Sequence, residues 1–377
     1  MQFTKLMAKN VTRRPMRSGL TIVAVAIAIC AVVALVGVSR GFEQSFIRQF
    51  EGIGVDLVVV RAGSKSMATS TLDQQLGDRI AAVPGVKHVV AALSENLSFD
   101  EETAAGGFTF GWVPETIVFD HLEMLSGHAL KHEDADGVML GSMLAANLQK
   151  EVGDEVGVFG ERYRVIGIHH SSNVFENGAM IMPLATLQGL LDMDGKVKSF
   201  NVIVEKKGEA NKELIERVRQ GIEQIESGIV ATPTREHVDK LAEIRIARAM
   251  AWITSTIALI VGAVGTLNTM VMAVHERTRE IGILRAIGWR KSRILRMVLG
   301  ESVLLSFVGG LLGIALAYVI LQLLTRLPWA AGFVVRYVEP SVVLQGLAIA
   351  ALVGLLGGLV PAYRATKVRP TQAIHYQ

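Results

Sequence analysis

The chain has 377 residues, of which 50% are apolar and only 19% charged, with 37 glycines. That balance suits a membrane protein carrying a soluble part better than a purely soluble enzyme. The formal net charge of +3 hides a strong partition of charge along the chain.

Residues 1–19 carry Lys5, Lys9, Arg13, Arg14 and Arg17 and no acid. Phe3, Leu6, Met7, Asn10 and Val11 recur at helical spacing, which predicts a short amphipathic helix lying on the inner membrane surface, up to Pro15. A disordered basic tail is the alternative. Residues 20–40 form the first predicted span: Leu20 to Ser39 has no charge, and a span needs roughly 20 apolar residues. The run is longer than a usual signal core, and GVSRGFEQSF shows no clear small-x-small cleavage site, so a retained helix is expected rather than a cleaved leader. The single cysteine, Cys30, lies in this span, so no intramolecular disulfide forms.

Residues 41–245 have no membrane-length apolar run. Gly41 to Arg245 holds 31 acids and 19 bases, a net of −12. Strands are predicted at VDLVVVRA, VKHVVAAL, GGFTFGWVP and SFNVIVEKK, and helices over Leu72–Val83 and Ala210–Glu226. GVMLGSMLAANLQKEVGDEVGVFGERYRVIGI reads as strand, short helix, turn and two more strands, with Gly160-Glu161 as a tight hairpin. AMIMPLATLQGLL reads as a strand to Pro183 and then a helix. Stalk helices are expected at Phe42–Phe50 and Val238–Ala249, the latter running unbroken into the second span. The result is an α+β domain inserted between the first and second membrane helices.

Spans follow at 249–274, 300–325 and 342–361, separated by a loop at 275–296 and a short outer loop at 326–341, with a tail at 362–377. The 275–296 loop carries seven Lys or Arg against Glu276 and Glu280, and the tail adds Arg364, Lys367 and Arg369. Positive residues stay in the cytoplasm beside membrane helices, so both termini and the 275–296 loop are expected inside and the acidic domain outside. The fold class is an α-helical membrane protein with four transmembrane helices and a large α+β extracytoplasmic domain.

No residue set announces catalysis, bound cofactor or metal. His121, His128 and His132 are spaced by seven and four residues, fit no short ligand motif and read as surface histidines. His169 and His170 end a strand and point to opposite faces. The acidic clusters at 100–102 and 133–136 lack the alternating ligands of a calcium loop. No GxxxxGK[ST] motif exists in the sequence, so the phosphate-cradling loop of a P-loop ATPase is not supplied by these residues. Glu301 sits at the start of the third span, where a carboxylate is costly. It is expected either to reach headgroup level or to meet Arg296 or Arg293 and brace the loop against the bundle.

Four segments carry a family resemblance. They are NVTRRPMRSGLTIVAVAIA, Gly137–Ile168, LNTMVMAVHERTREIGILRAIGWRKSRILRMVLGES from Leu267 to Ser302, and PAYRATKVRPTQAI from Pro361 to Ile374. In this order, with four spans and a large first loop, the chain resembles the FtsX/MacB-type (type VII) ABC transporter permeases over nearly its whole length. The resemblance implies a non-catalytic permease paired with a second copy or a related paralogue. A separate cytoplasmic P-loop ATPase would carry ATP and Mg, and a periplasmic adaptor or acceptor is a further partner; nucleic acid is not. It implies that Glu276, Arg277, Glu280, Gly282, Arg285, Ala286 and Gly288 meet the ATPase. The segment suits that role: Glu276 and Glu280 sit four apart on a helix, Ile281, Leu284 and Ile287 give an apolar edge, Gly288 can end the helix and Trp289 can anchor the turn. The mechanism implied is mechanotransmission, in which ATP-driven closure of the motor moves the outer domain to export or extract a substrate. The outer domain is modest beside the macrolide-exporter type and an ATPase fused at the amino terminus is not expected, so the branch of the family stays open. The rival reading is a membrane-anchored sensor or interaction protein with an outer ligand-binding domain and no ATPase.

Overall fold

The computed structural model describes residues 15–64, 69–100, 106–171, 173–205, 211–324 and 339–368. The predicted amino-terminal amphipathic helix, most of the 326–341 loop and most of the tail lie outside them. The chain divides into two compact units, a membrane unit and an outer domain.

Among the described residues, four helices are long and apolar enough to cross a membrane. They are α1 (Pro15–Ile53), α8 (Ala242–Glu276), α10 (Lys291–Leu324) and α11 (Pro340–Thr366). Each is longer than its apolar run. The third begins nine residues before the predicted start at 300, so Lys291, Arg293 and Arg296 lie on the helix itself and not in a loop. The fourth starts cleanly because Pro340 occupies its first turn, where a missing N–H costs nothing. It passes through Pro361 and continues to Thr366.

Small residues bring these helices together. A side chain on Gly313 would lie 2.5 Å from the Ala26 carbonyl of α1, and one on Gly310 would strike Ala350 of α11. Ser302 donates to the Gly354 carbonyl at 2.7 Å, so α10 and α11 also share a hydrogen bond inside the bundle. Cys30 is buried in the same packing.

The outer domain is built on a ten-stranded mixed sheet. Its strands are β1 (Leu57–Arg61), β3 (Val86–Leu97), β4 (Gly107–Trp112), β5 (Glu123–Gly127), β6 (Gly137–Gly141), β7 (Glu155–Val158), β8 (Glu161–His170), β9 (Met180–Pro183), β11 (Ser199–Val204) and β12 (Ile229–Pro233), while β2 (Leu72–Asp73) pairs apart with β10 (Lys196–Val197). The spatial order is β12-β1-β11-β3-β4-β9-β6-β8-β5, with β7 hairpinned onto β8. Among the described strands, only β4–β9 and β6–β8 run parallel.

Both faces of the sheet are covered, and alternation along each strand shows it. Leu57 and Val59 join one apolar cluster while Val58 joins the other; Val138 and Leu140 are split from Met139, and Met180 and Met182 from Ile181, in the same way. That is why these strands read as unbroken apolar runs. The first face is packed by α2 (Leu76–Ala81), α3 (Ser142–Leu148), α5 (Leu184–Leu190) and α6 (Asn211–Glu223). The second is packed by the end of α1 through Phe46, Phe50 and Ile53, by Phe175 of the short α4 (Val174–Asn177), and by Val238 and Leu241.

Two departures from the sequence reading follow from local backbone. The helix predicted over Leu72–Val83 holds only at Leu76–Ala81, because Leu72 and Asp73 pair with Val197 and Lys196. The stalk expected to run unbroken into the second span is interrupted: α7 (Thr234–Lys240) ends at Leu241, whose ψ of 133° is extended, before α8 begins. Leu241 is buried in the second apolar cluster, which holds the break in place.

Candidate coupling site

The segment after the second span contains the expected helix. Helix α8 ends at Glu276, and Arg277 breaks it with φ −104° and ψ 15°. A short helix, α9 (Thr278–Ala286), follows. Thr278 Oγ1 donates to the His275 carbonyl at 2.7 Å and so secures the junction. Helix α9 stops in a glycine cap. Gly288 adopts φ +99°, its N–H reaches the Arg285 carbonyl, and the Trp289 N–H reaches the Leu284 carbonyl. This paired pattern satisfies the last carbonyls of the helix, and the left-handed position needs glycine. Arg293 then stacks over the Trp289 ring at 4.3 Å.

The two faces of α9 differ. Ile281 and Gly282 are buried, and Leu284 and Trp289 pack with Met270, Ile294, Met297 and Ala362 in the membrane unit. Glu276, Arg279, Glu280, Ile283, Ala286 and Ile287 are exposed, with Ile287 at 73%. Ile281 and Leu284 therefore do not share an exposed apolar edge with Ile287, as the sequence suggested. Ile283 takes that place, and its four-residue spacing from Ile287 was the signal for it.

Two ties fix the inner side. Arg277 Nη1 lies 2.9 and 3.1 Å from the two carboxylate oxygens of Glu301, and both side chains are nearly buried. Glu301 was expected to meet Arg296 or Arg293. Arg296 is five residues away on the same helix, roughly 140° around its axis, and is exposed to solvent. The break at Arg277 instead delivers a guanidinium from the neighbouring segment. The second tie is Arg285 Nη1 donating to the Thr366 carbonyl at 2.6 Å, one of the last carbonyls of α11. Helix α9 is thus fastened to both the third and fourth spans. Glu276 and Glu280 each make an interaction of their own.

The outer domain holds a second polar cluster. His121 is not a surface residue: its Nε2 lies 2.9 Å from Oε2 of Glu176, a carboxylate with no exposure. Ser171 Oγ donates to the same oxygen, and the Nε2 of His169 is 3.1 Å from the Glu176 carbonyl. Burial pushes His169 down to a pKa of about 4, so it is neutral at pH 7. His128 and His132 are exposed, beside Asp134 and Glu115. Among the described residues no group of His, Cys, Asp and Glu is arranged to hold a metal ion.

Residues 18–225 match the MacB-like periplasmic core domain, and residues 252–370 match the FtsX-like permease C-terminal domain. The chain belongs to the FtsX/MacB-type family of ABC transporter permeases. The macrolide export ATP-binding/permease protein MacB of Bdellovibrio bacteriovorus is 24% identical over 398 residues, covering 96% of this chain and 59% of that protein. The chain therefore spans about three fifths of the length of such relatives. The uncharacterized ABC transporter permease YknZ of Bacillus subtilis is 26% identical over 407 residues, covering 99% of this chain and 98% of that one. The crystal structure of the periplasmic region of MacB from Actinobacillus actinomycetemcomitans aligns with 50% of this chain and 92% of its own at a TM-score of 0.40 and 15% identity. As an FtsX/MacB-type permease, this stretch of chain is multi-pass in the inner membrane with a periplasmic core domain.

Proposed function

We propose that this permease converts ATP hydrolysis on a separate cytoplasmic P-loop ATPase, loaded with ATP and Mg, into movement of its core domain. That movement would export or extract a substrate. Helix α9 is the coupling element, and the permease works as a pair with a second copy or a paralogue, in membrane lipid, with a periplasmic adaptor or acceptor receiving the cargo. The two-faced construction of α9 carries this reading. Its outer face offers Ile283, Ala286 and Ile287 between Glu276, Arg279 and Glu280, a small apolar patch rimmed by charge, which is how protein contacts are built. Its inner face is tied through Arg277–Glu301 and Arg285–Thr366, so force received outside reaches the third and fourth spans.

The test uses the permease co-expressed with its P-loop partner and reconstituted in vesicles. Glu280→Lys and Ile287→Asp are each expected to lower transport-coupled ATP hydrolysis about tenfold. Arg285→Glu is expected to keep the ATPase bound while uncoupling hydrolysis from transport. Full coupling in Glu280→Lys and Arg285→Glu would sink the reading. Folding is controlled separately, since Arg277→Ala strands the Glu301 carboxylate at a cost of about 3–5 kcal/mol.

A further inference from the structure

Between the cytoplasmic ends of α8 and α11 the bundle opens. Deeper in the membrane the two helices touch through glycine: a side chain on Gly357 would lie 2.7 Å from the Ala263 carbonyl, and one on Gly262 would meet Val353 at 3.3 Å. One turn beyond, that seam stops. Pro361 occupies α11 where another small residue would continue it, and a cleft of about 210 Å³ appears. Its walls are apolar, formed by Val271, Val274, Pro361 and Val368, and its mouth carries His275, Thr278 and Arg364.

The charges around the mouth are not equivalent. Arg277 is held by Glu301, Arg285 by the Thr366 carbonyl, and Lys367 lies over the Tyr363 ring at 4.7 Å. The acids Glu276 and Glu280 have interactions of their own. Among the described residues, the side chains of Arg364 and His275 make no hydrogen bond or ion pair, and both are exposed. An unpaired guanidinium above an apolar slot, at the depth where helices leave the inner leaflet, matches a phosphodiester above an acyl chain.

We propose that this cleft binds one anionic phospholipid of the cytoplasmic leaflet. Arg364, with His275 beside it, holds the headgroup phosphate, and the first part of an acyl chain lies against Val271, Val274 and Pro361. Thr278, at the mouth, is the first residue of α9. An occupied cleft therefore packs against the start of that helix and makes its position sensitive to lipid composition. The site stands on the membrane topology and does not depend on the coupling role of α9.

The full chain, alone and co-expressed with its P-loop partner, is reconstituted in nanodiscs of equal phosphatidylglycerol and phosphatidylcholine, extracted in mild detergent and weighed by native mass spectrometry. Retention of one phosphatidylglycerol in preference to phosphatidylcholine is expected. Arg364→Ala should reduce that retention about fivefold, the share of one basic group at an anionic surface. Val274→Trp should reduce it as well by filling the slot without changing charge, and because Arg364 is exposed, the first variant remains readable if the second fails to fold. Equal retention of the two lipids, or unchanged retention in Arg364→Ala, overturns the proposal. So does displacement of the lipid by millimolar inorganic phosphate, which would make this a free-anion site. Loss of the P-loop partner from Arg364→Ala with lipid retention intact would assign the surface to that partner instead.

Discussion

In the core domain, three consecutive residues of β6, Val138, Met139 and Leu140, are all fully buried, alternating between two apolar clusters. In α8, Trp252, Ile253 and Ile257 are each more than half exposed, while its close approach to α11 runs through Gly262, Ala263 and Thr266. Water drives the first arrangement: large side chains go inward because leaving them outside costs about 25 cal/mol per Å². Lipid removes that incentive, so α8 can turn large residues outward and use small ones to bring its backbone close to α11. The same residue types thus carry opposite structural meaning in the two regions.

The sharpest way to break this contrast is to add bulk at a seam. Gly313→Val places a side chain against the Ala26 carbonyl, where backbone cannot yield, and should cost about 3 kcal/mol or more. Gly265→Val meets nothing within 4 Å and should leave the melting temperature in detergent nearly unchanged. Similar losses from both would mean that close approach does not organise the bundle.

The next effect belongs to the water-driven core. His169 and His237 are both lowered from 6.5 to a pKa of about 4, chiefly by burial, so both are neutral in the folded domain. Below pH 6.5 the unfolded chain takes up these protons and the folded one does not. Stability is therefore full above 6.5 and is lost as pH falls toward 4, by on the order of 3 kcal/mol per histidine. Amide exchange of β6 in the full chain at pH 7, 5.5 and 4 should show the loss. His237→Gln should flatten the slope, and an unchanged slope would show that His237 is not buried neutral.

The smallest effect is expected at the surface of α6. Arg219 depresses Glu216 to a pKa of about 2, yet Glu216 is open to solvent. Glu216→Gln should leave thermal unfolding within measurement error, as exposed pairs contribute little. A clear destabilisation would mean that this helix face is covered in the assembled protein.

Legibility in the sequence followed the same division. Apolar runs without charge marked the four long helices, and turn residues such as Gly160-Glu161 marked the β7–β8 hairpin, because both signals are local. The sheet order was not legible, since pairing β4 with β9 joins residues about seventy positions apart and leaves no local trace. Edge strands were missed too: β5 carries Glu123, Ser126 and Gly127, whose composition reads as loop. At the candidate coupling site, the glycine stop at Gly288 was visible from residue type. The Glu301 partner was not, because Arg277 reaches it only through a break in the backbone that no periodicity announces. His121 looked like a surface residue for a related reason: its carboxylate partner, Glu176, lies 55 positions along the chain.

Cys30 has a practical consequence. It is the sole thiol in 377 residues, and it is turned into the helix bundle. Polar alkylating reagents should therefore find almost nothing to modify on the native protein. Any cysteine introduced at Ile287 or Arg364 would report its own accessibility against a silent background.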